Sequence, residues 1–164
     1  MELINHSINW CKGEIFEGKM SLLFGAIILL VSLAYWKFGS TLFAKSMVIP
    51  LALVAFLTMA IGIYLNTANQ RRITSFPQTY QIDPKQFAAD EKIRTEGFIK
   101  WYPYTQYIMA AIMVLGMGLM ILTHSANWRA IGIGLMLFAF YTFVLDHFSE
   151  ERAATYHQHI LDYL

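Results

Sequence analysis

Two residues near the end of the chain have the types and spacing that chemistry on a phosphodiester requires. Arg152 and His157 enclose Ala-Ala-Thr-Tyr in an R-x4-H arrangement. A guanidinium can grip a phosphate with two parallel hydrogen bonds, and an imidazole titrating near neutrality can move a proton at a ribose hydroxyl. His159 adds an R-x6-H pairing from the same arginine. Spacing alone discriminates little: five arginines and five histidines give on the order of 0.5 such pairs by chance. A solvated helix with an ion-paired arginine carries the same pattern. Five residues along an α-helix also turn the second side chain about 140° from the first, so one chain does not readily present both to one substrate.

Other constellations point to metals. Met109, Met113, Met117 and Met120 recur at helical spacing, and soft thioethers suit Cu(I). With His157-x-His159 they resemble copper-uptake channels. The same spacing serves packing, for which unbranched methionine is well suited. His147 with Glu150 and Glu151 reverses the E-x-x-H order of di-iron bundles, and no second set exists to complete one. His6 and His124 stand alone, and Cys11, the one cysteine, reads as a small buried residue that excludes an internal disulfide framework. No cofactor and no metal site is expected.

The elements that must position these residues are membrane helices. The 164-residue chain is 57% hydrophobic and 14% charged, against about 25% charged in an ordinary soluble domain. Its net charge of +1 leaves no basic field to attract nucleic acid. Apolar runs at 20–36, 46–65, 104–123 and 129–145, charge-free except for Arg129 at the border of the last, predict four transmembrane helices in one all-α membrane domain. Trp36, Trp101, Tyr102, Tyr104 and Trp128 flank them as an interfacial belt. Pro50 is expected in the first turn of the second span, where its missing N–H costs little. Glu2, Glu14 and Glu17, with no small-residue cleavage site, argue against a cleaved signal peptide.

Between the spans the periodicity predicts an amphipathic N-terminal helix over 1–19 and a cytoplasmic loop over 66–103. That loop is irregular to residue 82 and helical over 84–102, opened by Asp83-Pro84-Lys85-Gln86 and stopped at Pro103. Arg71-Arg72 suits lipid headgroups, with a phosphate or RNA contact as the alternative. A helix over 146–164 continues the fourth span and carries Phe148, Arg152, Tyr156 and Ile160 along one side, for which one chain offers no evident partner. Packing against further copies would supply it, so a homo-oligomer is expected. Nine Lys and Arg fall on the side of both termini and three on the other, which predicts cytoplasmic N- and C-termini. The absence of charge inside the spans disfavours pumps and proton-coupled transporters.

The short multi-span layout, together with Arg152 and His157 near the C-terminus, resembles the small membrane accessory proteins of type VI-B CRISPR systems, which carry a divergent HEPN-like motif. The layout covers most of the chain and the motif six residues. The resemblance implies a homo-oligomeric pore in the bacterial inner membrane that strengthens antiphage defence beside an RNA-guided RNase effector. The position after the arginine, usually polar in HEPN ribonucleases, is Ala153. Direct RNA contact and RNase activity therefore stay open beside a structural or subunit-coupling role for the pair. In a ring, Asp146 and Glu150 share a helix face with His157 and are expected at the pore mouth, where carboxylates favour cations. Arg152 is expected to meet a carboxylate of a neighbouring chain, such as Glu150 or Asp162. A Cu(I)-handling channel and a membrane-bound HEPN-like RNase are the alternative functions.

Overall fold

The computed structural model describes residues 2–164 as five helices and no strand. They are α1 (Glu2–Phe38), α2 (Leu42–Ile82), α3 (Pro84–Ile99), α4 (Tyr102–Leu122) and α5 (Ala126–Tyr163). Four long helical stretches, with α3 and α4 forming one of them, are long and apolar enough to cross a membrane. At 37, 41 and 38 residues, α1, α2 and α5 are about 55–60 Å long, roughly twice the hydrocarbon thickness of a bilayer. Each therefore pairs an apolar stretch with a polar extension of similar length. The extensions of α1, α2 and α5 gather with α3 at one end of the bundle, which we term the head. Both terminal segments lie there, while the connections at 39–41 and 123–125 lie at the opposite end.

Four sequence expectations change here. The N-terminal segment is not a separate amphipathic helix: α1 runs without a break through Gly13 and Gly18 into the first span. Residues 66–82 are not an irregular connector but the last turns of α2. Their polar side chains do not compete with the helix, because Thr67, Thr74 and Thr79 donate their hydroxyls to carbonyls of the preceding turn, and Phe76 is buried against α3. Pro50 lies in the third turn of α2 rather than the first, since that helix already starts at Leu42 under a Thr41 cap. Asp83 caps α3 as its sequence requires, accepting from the backbone N–H of Lys85 and Gln86 at 3.0 Å each. That helix ends at Ile99, and Pro103 sits in the first turn of α4 instead of terminating α3.

Small residues set the closest helix crossings, as is usual where lipid gives helices no hydrophobic reason to associate. A Cβ on Gly62 would lie 2.6 Å from the Gly18 carbonyl oxygen, and one on Gly116 would lie 2.7 Å from that of Gly132. These contacts zip α1 to α2 and α4 to α5. The two hairpins meet where α5 lies on α2, with Gly134 against Pro50. In the head, the α5 residues Tyr156 and Ile160 are buried among Leu3, Trp10, Cys11, Phe76 and Phe87. Tyr156 and Ile160 on the apolar side of the C-terminal helix are thus covered by their own chain, while Phe148 stays exposed. Further copies are therefore not needed to cover Tyr156 and Ile160.

Candidate functional site

Arg152 sits at the base of the head and points at α1. Its Nη2 donates to Glu14 Oε1 at 2.7 Å and its Nη1 to Glu17 Oε1 at 2.6 Å. Glu14 and Glu17 are three residues apart, so one helix face presents both carboxylates to a single guanidinium. Gly13 leaves room for it: a Cβ there would come within 2.9 Å of Arg152 Nε. One turn earlier on α5, Ser149 donates to Glu14 Oε1 and accepts from the Tyr102 hydroxyl, both at 3.1 Å. This knot ties α1, α4 and α5 together within their own chain. It replaces the expected pairing of Arg152 with Glu150 or Asp162 of a neighbour.

The knot holds two carboxylates against one cation. Burial raises the Glu17 carboxyl above the usual range; Arg152 works against that shift, while Glu14 and Asp146 add to it. Burial also disfavours the Arg152 charge, but its bonds to Glu17 and Glu14 outweigh this and hold the guanidinium above its ordinary value. Burial pushes the Tyr102 phenol up to about 12.

One turn beyond Arg152 is a second polar cluster. The Tyr156 hydroxyl donates to Glu91 Oε2 at 2.6 Å and lies 2.8 Å from Ser7 Oγ. Glu91 also accepts from Arg94 Nε at 2.8 Å, and the Arg94 guanidinium lies 4.6 Å over the Trp10 ring. His157 belongs to this tier: its Nδ1 shares a 2.7 Å hydrogen bond with Thr95 Oγ1 of α3. Arg152 therefore faces α1 and His157 faces α3. Within one chain the structure does not bring the R-x4-H pair together.

Asp146 and Glu150 turn towards α4. Gln106 Nε2 donates to Glu150 Oε2 at 2.6 Å. Burial raises the Asp146 carboxyl, which Thr105 partly offsets and Glu150 reinforces, and its Oδ2 is buried with no partner. The expected shared face of Asp146, Glu150 and His157 exists, but α3 and α4 cover part of it.

His159, not His157, shares a groove with Arg152. Seven residues bring a side chain within about 20° of its starting direction, and both line a surface groove of about 310 Å³ with Trp10, Tyr156 and Glu151. His6, which carries no signal in the sequence, stacks on His159 with ring centroids 3.7 Å apart. The groove is poorly suited to an anion, because its guanidinium is already neutralised by two carboxylates and Glu151 adds a third. Sequence reasoning also missed Glu14, Glu17 and Glu91. The first two had one available signal, a pair of acids one turn apart just before an apolar run.

The methionine stripe lies on α4. Met120 packs over Gly132 of α5, and Met136 returns the contact over Gly116. Met117 is exposed, and Met109 and Met113 are half-buried. Among the described residues no group of three or more His, Cys, Asp or Glu is placed to hold a metal ion. In comparisons with known proteins, no family model, curated protein or solved structure matches the chain.

Proposed function

We propose that the chain assembles with copies of itself into a pore or effector of the bacterial inner membrane, which permeabilises or depolarises the bilayer in support of CRISPR-based antiphage defence. The observation that carries the assembly is α4, a 21-residue apolar helix in which Gly116 is the only buried residue. Tyr107, Val114, Leu115 and Ile121 are all more than half exposed. One α4 face is fixed on α5, and the rest is free to meet lipid or a second copy. At its foot stand Thr105 and Gln106 with Asp146 and Glu150. A path between subunits would open beside these carboxylates and favour cations. The nine-to-three charge bias supports cytoplasmic termini. The link to defence and to an RNA-guided RNase rests on the resemblance carried by Arg152, His157 and the multi-span layout.

Reconstitution in liposomes loaded with a potential-sensitive dye tests the pore. The protein should dissipate a potassium gradient, and Asp146→Asn with Glu150→Gln should lower its preference for cations over anions. A protein that is monomeric in every mild detergent and leaves liposomes sealed refutes it. RNA cleavage is a second reading, favoured only by the shared groove of Arg152 and His159. Loss of labelled RNA with wild type but not with His159→Ala would establish it. Cu(I) handling through the methionine stripe would instead show as copper co-purifying with the protein and lost in Met113→Leu.

A further inference from the structure

A second cavity lies far from the head, between α2 and α5 at the end that carries the interhelical connections. It has a volume of about 610 Å³ and runs along α2 from Leu42 to Leu57. Fifteen residues of helix rise about 22 Å, more than half the hydrocarbon thickness of a bilayer. Volume over length gives a mean cross-section of about 28 Å² for the positions open to atom centres, and so a slot about 9 Å across between its walls. A helix with its side chains is about 10–12 Å across and does not fit. A single hydrocarbon chain does. The floor is the contact of Pro50 with Gly134, and the walls are aliphatic and aromatic, including Leu53, Leu135 and Phe138.

The mouth differs from the body. Lys45, Ser46 and Asn127 line it, with the Ser46 hydroxyl donating to Asn127 Oδ1 at 2.6 Å. Lys45 is exposed and makes no ion pair among the described residues. Lys37, Lys45 and Arg129 are the cations at this end, and residues 37–45 and 123–129 contain no Asp or Glu. All eleven carboxylates fall at the head end of the sequence pattern. The groove thus joins a long apolar slot to an uncompensated positive mouth.

We propose that this groove binds one acyl chain of an anionic glycerophospholipid, with the phosphate held at the mouth by Lys45 and the Ser46–Asn127 pair. The inference rests on the chain crossing a membrane but not on its forming a pore. A row of side chains from a second copy could enter a slot of this width, but it would leave Lys45 without a partner.

Native mass spectrometry of the full chain, titrated with phosphatidylglycerol or phosphatidylcholine, tests it. Wild type should retain one phosphatidylglycerol per chain, with about a fivefold preference over phosphatidylcholine, as expected for one lysine near an anionic headgroup. Lys45→Gln should bring that preference close to unity. Leu53→Trp should abolish retention by filling the slot, and as Leu53 is 57% exposed the variant keeps its helix packing, which circular dichroism verifies. Equal retention by wild type and both variants overturns the proposal. So does a Leu53→Trp variant that loses a second copy of the chain rather than a lipid.

Discussion

Replacing Arg152 by alanine removes the only cation that faces Glu14 and Glu17 within the knot. Those residues are 5% and 6% exposed, so their carboxylates cannot regain much water. Breaking a buried ion pair from one side costs about 3–5 kcal/mol. The Arg152 side chain is itself 33% exposed, so solvent screening reduces this to about 2–3 kcal/mol. For a chain of this size that is a fall in melting temperature of about 5–10 °C, measurable by circular dichroism in mild detergent. The pH dependence has a definite sign. The Glu17 carboxyl already lies above its ordinary value when folded, so the folded state binds protons more readily than the unfolded one and stability falls as pH rises through that range. Without Arg152 the carboxyl rises further. The Arg152→Ala deficit should therefore be largest at pH 8 and shrink on acidification towards pH 5. Adding Glu14→Gln and Glu17→Gln should recover most of the loss at pH 8. A deficit that is independent of pH and unrelieved by the glutamines would refute the buried charge imbalance as its cause.

Three further outcomes follow from the packing. Cys11 is fully buried and its thiol is pushed up to about 12, chiefly by burial; a maleimide at pH 7.5 should leave it unlabelled until the head is denatured, and rapid labelling of native protein would show that the head opens. Gly116→Leu places a side chain against the Gly132 backbone, so it should part α4 from α5 and weaken a disulfide introduced between them, whereas the same change at Gly118, which faces open space, should not. His157→Ala loses the Thr95 hydrogen bond and should lower stability by about 1 kcal/mol; a drop in liposome conductance without any change in melting would instead place His157 on the ion path.

The four helical stretches long and apolar enough to cross a membrane were legible because apolar length is a one-dimensional signal, and Asp83-Pro84 announced a helix start by chemistry confined to four residues. The head was not legible. Glu14 and Arg152 are 138 residues apart, and nothing local to either reveals that they meet. Gly13 and Gly18 are where Arg152 and Gly62 approach closely enough to exclude a side chain, and nothing near either glycine in sequence shows it. Residues 66–82 read as an irregular connector, but their hydroxyls are satisfied by the helix's own carbonyls and Phe76 gives that helix a buried face. The candidate site was half visible. The angular separation of Arg152 and His157 followed from helix geometry, whereas the partners that hold them, Glu14, Glu17 and Thr95, depended on tertiary packing.

Three helices pass from the head into the apolar layer with no loop between. Mechanically they are stiff levers. A tilt of 5° applied to α1 at one end moves the other by about 5 Å over its length. The head therefore cannot shift relative to the apolar layer as a tethered domain would. Any force on its surface reaches the far ends of the same helices as displacement, with Pro50 and Pro77 the prolines at which α2 can absorb part of the angle.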